Sequence, residues 1–299
     1  KMTLQQLRQV LTIAESNSMN EAAKKLFVSQ PNLSATVREV EEELGITVFM
    51  RNNRGITVTA EGEEFLGYAK QVVEQYHLLE NRYLNVESKK KFSVSMQHYS
   101  FAVKAFVQLA KEVGMDEYEF AVHETKTKEV IDNVKNLKSE IGVLYLSDFN
   151  EKVLRKLFKE CDIEFKELFT CNTYVYLWKK HPLAGQKEIT LDDLQEYPCL
   201  TFEQGVNNSF YYAEEMMSTY EYKRVIKADD RATMLNLMVG LNGFTLCSGI
   251  ISEDLNGDDY AAIPLKESEK MHIGYIKHKG TKLSKLGEIY IDALKNYEN

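Results

Sequence analysis

At 299 residues the chain can form two or three domains, and 44% apolar content with only 4 prolines suits an ordinary folded protein. No stretch approaches the roughly 18 to 20 uncharged apolar residues of a membrane span, which excludes a helical membrane protein. A net charge of -8 excludes a protein that holds nucleic acid by a broad basic surface, so any affinity for DNA must come from placed contacts doubled by a dimer.

Leu4, Leu7, Val10, Leu11 and Ala14 recur at helical spacing and predict a supporting first helix. Ser18, with Glu21 three residues on, is a capping-box start for a second. Ala22, Ala23 and Leu26 form its apolar face, and Phe27 and Val28 fall in a turn. Ser29 can cap a third helix, with Pro31 in the first turn, where a missing N–H costs nothing. Leu33, Val37, Val40 and Leu44 follow at helical spacing until Gly45 ends the run. The opposite face carries Gln30, Asn32, Ser34, Thr36 and Arg38, short hydrogen-bonding groups and a guanidinium of the kind that base edges and phosphates demand. β-Branched runs on either side of residues 52–55 predict a hairpin presenting Arg51 and Arg54. Residues 1–60 therefore read as a winged helix-turn-helix, with Ser29, Gln30, Pro31, Asn32, Ser34, Thr36, Arg38, Arg51 and Arg54 as its DNA-binding set. Up to Ala60 the bases Lys1, Arg8, Lys24, Lys25, Arg38, Arg51 and Arg54 barely outnumber the acids Glu15, Glu21, Glu39, Glu41, Glu42 and Glu43.

Over residues 61–88, Phe65, Ala69, Val72, Tyr76, Leu79, Tyr83 and Val86 alternate at spacings of four and three. That is a heptad seam, which either packs on its own domain or, as the main reading, makes a dimerisation helix setting two recognition helices about one turn of DNA, or a multiple, apart. Residues 87–91 are a polar hinge.

From residue 92 the pattern becomes strand, helix, strand, helix, strand through residue 146, a parallel βαβαβ arrangement. Residues 165–250 repeat the scheme, with a helix expected over 210–220 and another closed by Gly243. Residues 261–265 and 270–278 return as strands, and 283–297 form a terminal helix. Two α/β subdomains are expected, about 92–163 plus 268–299 and about 164–267, with crossings near 162–167 and 265–270.

Ligands of such a fold lie at the carboxyl ends of strands, against helix N-termini. That places Gln97, His98, Tyr99, Ser100, Ser147, Thr201, Phe202, Glu203, Gln204, Ser209, Cys247 and Ser248 as candidates to line a cleft. Cys161, Cys171, Cys199 and Cys247 lack CxxC or zinc-ligand spacing and read as buried thiols. The histidines sit in no HExxH or HxH pattern, and no phosphate loop, GxSxG elbow or GxGxxG turn is present. No catalytic residue, metal or cofactor is expected. The start of the chain lacks a basic-then-apolar leader, so a cytoplasmic protein is expected.

The order Ala22–Ala23, Leu26, Ser29–Gln30–Pro31, Ser34, Glu41, Leu44–Gly45, Phe49, Arg51, Thr59, Gly62 resembles the signature of LysR-type transcriptional regulators. Departures are Val40, where leucine is usual, and Met50, where an acidic residue is common. The resemblance implies an α/β protein overall: a helix-rich winged helix-turn-helix, a linker helix, and two Rossmann-like subdomains of the periplasmic-binding-protein-like type 2 class. It also implies an inverted-repeat operator on double-stranded DNA, a dimer of dimers, contact with RNA polymerase, and a small-molecule effector, commonly a carboxylate metabolite, bound by some of the cleft candidates. Two rival readings are a small-molecule binder whose first domain serves dimerisation, and an enzyme.

Overall fold

A computed structural model describes residues 1–52, 55–84 and 89–297. The chain divides into two compact units, Lys1–Lys89 with Asn136–Lys138, and the rest.

The first unit opens with α1 (Leu4–Ala14), α2 (Met19–Leu26) and α3 (Gln30–Leu44). A reciprocal capping box forms at Thr3, whose hydroxyl accepts from the Gln6 N–H while the Gln6 amide accepts from the Thr3 N–H. At α2 the Ser18 hydroxyl does accept from the Glu21 N–H at 3.1 Å, but the Glu21 carboxylate reaches past Ser18 to the N–H of Asn17 at 3.0 Å. Leu33, Val37 and Val40 on α3 pack with Leu7, Val10, Ile13, Ala22 and Ala23 in one core. Strands β1 (Phe49–Asn52) and β2 (Gly55–Val58) pair antiparallel from Phe49↔Val58 to Asn52↔Gly55. Gly55 has φ +127, and a Cβ there would lie 2.7 Å from the Asn17 carbonyl oxygen, so only glycine fits.

The long helix α4 (Ala60–Leu84) revises the heptad reading. Phe65 and Ala69 are buried with Leu66 and Val73 in the core of their own unit, because the first turns of α4 complete the packing begun by α1–α3. They are therefore not free to meet a partner. The exposed apolar strip runs instead through Tyr68, Val72, Tyr76, Leu79 and Tyr83. Val86 lies outside the described residues.

The second unit comprises β3 (Lys90–Met96), α5 (Ser100–Val113), β4 (Tyr118–Glu124), α6 (Thr127–Lys135), β5 (Ile141–Leu146), α7 (Glu151–Glu160) and β6 (Ile163–Cys171), followed by β7 (Tyr174–Trp178), β8 (Cys199–Phe202), β9 (Val225–Ala228), α8 (Arg231–Leu241), β10 (Thr245–Cys247), α9 (Glu253–Asn256), β11 (Tyr260–Pro264), β12 (Met271–His278) and α10 (Lys285–Lys295). The first sheet has the order β4-β3-β5-β12-β6, parallel except for β12 against its neighbours. β5 is buried along its whole length because it is covered on both faces. Ile141, Val143 and Tyr145 face a core shared with α5 and α10, while Leu144 and Leu146 face one shared with α6 and α7.

The second sheet is β10-β7-β11, joined to the parallel pair β8-β9 where Phe244 bridges to Cys199. Its order is thus β9-β8-β10-β7-β11.

Three expectations are corrected. Residues 163–171 form β6 of the first sheet, so the chain crosses at residues 172–173 and not at 162–167. β6 is an edge strand whose charges, Glu164, Lys166 and Glu167, read as a linker because the strand is partly solvated. Residues 210–220 are no α-helix: a 3-10 turn at Phe210–Tyr212 precedes Glu214, Glu215 and Met216, consecutive buried residues that a one-faced helix would not bury together. The left-handed residue closing α8 is Asn242, with φ 51, and not Gly243. Helix α7, unassigned in the sequence, buries Leu154 and Phe158.

Both crossings meet at Thr173. Its N–H donates to the Ser268 hydroxyl at 2.8 Å, its hydroxyl donates to the Glu269 carbonyl at 2.8 Å, and its carbonyl accepts from the Leu265 N–H at 3.2 Å.

Candidate functional site

In the first unit the chemistry gathers at the start of α3. Ser29 caps the helix by accepting from the Asn32 N–H, and Pro31 sits in its first turn. With Leu33, Val37 and Val40 turned inward, Pro31, Ala35 and Arg38 lie at the centre of the exposed face. Gln30 and Ser34 flank one edge, joined by a bond from the Gln30 amide nitrogen to the Ser34 hydroxyl at 2.8 Å. Asn32 and Thr36 flank the other, as the helical repeat requires. Ala35 escaped the sequence reading because it carries no polar group; a small side chain there lets the helix backbone approach a partner closely. Glu39, Glu42 and Glu43 are exposed on the later turns, so only the first half of α3 suits phosphates. Arg54 and the Arg51 side chain lie outside the described residues.

In the second unit a cavity of about 90 Å³ opens where α5 begins, between the two sheets. Of the twelve candidates, His98, Tyr99, Ser100, Phe202, Cys247 and Ser248 line it. Gln97 and Gln204 stand behind the wall. The Gln97 amide donates to the Thr127 hydroxyl at 2.7 Å, and the Gln204 amide oxygen accepts from the Thr127 N–H at 3.0 Å. Ser147 bonds with Asn150 at the start of α7, and Thr201, Glu203 and Ser209 are not part of the lining.

A contact across the cleft that joins three residues involves one that the sequence did not flag. Glu214 accepts from the His98 N–H at 2.8 Å, approaches His98 Nδ1 at 2.8 Å, and accepts from the Gln204 amide at 2.8 Å. The His98 ring stacks on Phe202 with centroids 3.8 Å apart. Burial works to lower the His98 pKa, but the hydrogen bond and charge of Glu214 outweigh it, and the pKa ends above its ordinary value. Glu215 accepts from the Phe202 N–H at 2.8 Å, and burial plus the neighbouring Glu214 charge push its pKa to about 8. Arg231 pairs with Glu124, its Nη2 at 3.0 Å, and donates to Asn256 at 3.2 Å.

The cavity wall is otherwise apolar, with Met234, Met238, Leu246, Ile250 and Met271. The Thr245 hydroxyl on that wall is buried with no hydrogen-bond partner. Tyr99 supplies no side-chain cap to α5, so early N–H groups of that helix are open to a ligand. Burial pushes the thiols of Cys171 and Cys247 up to about 12, which leaves neither as a thiolate nucleophile at neutral pH. Among the described residues no cluster of three His, Cys, Asp or Glu side chains is placed to hold a metal, and no helix is long and apolar enough to cross a membrane.

Comparison with known proteins finds two family matches: bacterial regulatory helix-turn-helix protein of the lysR family over residues 4–63, and LysR substrate binding domain over residues 115–298. The HTH-type transcriptional regulator CysL of Bacillus subtilis (strain 168) is 26% identical, with 98% of this chain and 97% of that protein covered. The fold is similar to full-length OxyR from Pseudomonas aeruginosa, with a TM-score of 0.69, 19% identity, and 99% of this chain and 95% of that one covered. It is also similar to full-length LysG from Corynebacterium glutamicum with bound effector Arg, with a TM-score of 0.64, 13% identity, and 99% and 98% covered.

Proposed function

The chain belongs to the LysR family of bacterial helix-turn-helix transcriptional regulators, and on that footing we propose how its parts divide the work. Residues 1–60 bind DNA, 61–88 join two copies, and 92–297 bind the effector. The first half of α3 enters the major groove, with Gln30 and Ser34 reading base edges and Asn32, Thr36 and Arg38 holding phosphates. Arg51 and Arg54 at the hairpin reach a phosphate or the minor groove. The Tyr68-to-Tyr83 strip of α4 pairs with its counterpart in a second copy, placing two α3 helices on an inverted repeat. Dimers pair again into a tetramer that meets RNA polymerase, in the cytoplasm where the chromosome lies.

The effector enters the cavity at the start of α5. Its size and lining suit a small molecule with a short apolar body against Met234, Met238 and Leu246, and a polar group reaching the Thr245 hydroxyl. A ligand shifts the two subdomains only by its differential affinity for their open and closed arrangements. The observation that carries the reading is the α3 face, where uncharged hydrogen-bonding groups and one guanidinium stand on the half of the helix that is free of acids.

Genomic fragments retained by the purified full-length chain are the direct test. Enrichment of an inverted repeat with half-sites about one turn apart supports it, and retention that ignores sequence and vanishes by about 0.2 M salt overturns it. On such a site Gln30→Ala should lose about 1–3 kcal/mol of binding and relax base choice at one position. Equal loss on every DNA sequence would remove Gln30 from the base-reading set.

A further inference from the structure

Five described non-glycine residues have positive φ: Phe27, Leu137, Asp162, Met217 and Asn242. Asp162 and Asn242 belong to the side-chain types that tolerate the left-handed region, through local hydrogen bonding. Leu137 is only 9% exposed, and Met217 packs against a hydrophobic core, so burial offsets their strain. Phe27 has neither excuse. It holds φ 55 in the turn between α2 and α3, fixed by its own N–H bonded to the Lys24 carbonyl and the Val28 N–H bonded to the Ala23 carbonyl. Yet 96% of its surface is exposed.

A lone exposed apolar residue is ordinary, but one that is also strained is not explained by folding. Glycine or asparagine would make this turn at less cost. The position supplies the missing reason. Phe27 lines a shallow depression with Asn20, Ala23, Lys24, Val28 and Gln30, continuous with the start of α3. Lys24 suits a phosphate there and Gln30 a base edge, while the phenyl ring has no polar atom and can gain only from an apolar surface. The major groove offers one such surface that depends on sequence, the thymine C5-methyl group.

We propose that Phe27 reads a thymine methyl in each half-site, beside the base contacted by Gln30; this rests on the DNA-binding reading of α3. Withdrawing one methyl from water is worth roughly fourfold in affinity.

The test uses the full-length protein and an operator recovered by genomic selection, with each half-site thymine replaced singly by deoxyuridine, which lacks only that methyl. Wild type should lose roughly fourfold at one thymine per half-site. Phe27→Asn should bind the unmodified operator more weakly by a similar factor and be indifferent to deoxyuridine at that thymine. Its melting temperature should equal or exceed wild type, because asparagine relieves the left-handed strain, so weaker binding could not be blamed on misfolding. Wild-type indifference to every deoxyuridine, or deoxyuridine sensitivity unchanged in Phe27→Asn, would overturn the proposal while leaving α3 as the DNA reader. Failure of wild type to select any operator would remove the DNA-binding reading, and this inference with it.

Discussion

Glu214→Ala should destabilise the effector-binding unit by about 3–5 kcal/mol, the range for breaking one side of a buried ion pair. The side chain is 4% exposed and accepts from two donors of His98 and one of Gln204. Removing it strands the His98 N–H and the Gln204 amide, and leaves the buried imidazole, which desolvation then drives toward its neutral form, without its acceptor. Glu214→Gln should fall between, since its amide oxygen can still accept from the His98 N–H but brings no charge. The chain's single tryptophan makes the measurement local. Trp178 lies on β7 with its indole N–H donating to Asn242 at 2.8 Å, so urea titration by its fluorescence follows this unit. A loss under about 0.5 kcal/mol for Glu214→Ala would show that the contact is not structural.

The same unit should lose stability as pH rises from about 5 to about 8. Glu215 sets the sign. Its pKa is near 4.5 in the unfolded chain and about 8 when folded, raised first by burial and then by the Glu214 charge. Between those values the folded state holds a proton that the unfolded state has released, so each step up in pH favours unfolding. His98 acts in the same direction. The stability gained from its raised pKa is full below 6.5 and is lost as pH climbs through the folded value. Glu140, raised by burial, adds to the loss, whereas His181 and His278, held below 6.5 by burial, act in the opposite sense on the acid side of that value, and Glu164, lowered by its hydrogen bond to Lys277, does so on the acid side of 4.5. Glu215→Gln should therefore flatten the slope between pH 5 and 8, leaving the shares of Glu140 and the histidines, and should exceed wild type in relative stability at pH 8. Parallel curves for variant and wild type would refute the assignment to Glu215.

The DNA-binding unit was largely legible in the sequence because its signals are local. Ser18, Ser29 and Gly45 mark helix ends through contacts within a few residues, and the spacing of Leu33, Val37 and Val40 fixes which side of α3 turns inward. The seam on α4 was half legible. Periodicity finds an apolar stripe, but only the packed unit shows that Phe65 and Ala69 are already used. The cleft was hardest. His98, Phe202, Glu214, Arg231 and Thr245 come from five separate segments that meet only when two sheets form. Glu214 and Glu215 were hidden by an apparent helical pattern at residues 210–220, and nothing local says that two adjacent glutamates will both be buried. The crossing was misplaced for a related reason: the charges of Glu164 and Lys166 look alike on a linker and on a solvated edge strand.

The acidic later turns of α3 bear on how the regulator finds its sites. With the first half of α3 in the groove, as proposed, the exposed Glu39, Glu42 and Glu43 would repel any phosphates that the later turns approached. Such repulsion would weaken binding to the millions of chromosomal positions that are not operators. Fewer copies are then sequestered at any moment, dwell times between encounters shorten, and a given operator fills at a lower cellular copy number. Occupancy depends on the ratio of right to wrong affinities, and acids at the edge of the proposed DNA face would raise that ratio from below, by lowering the floor.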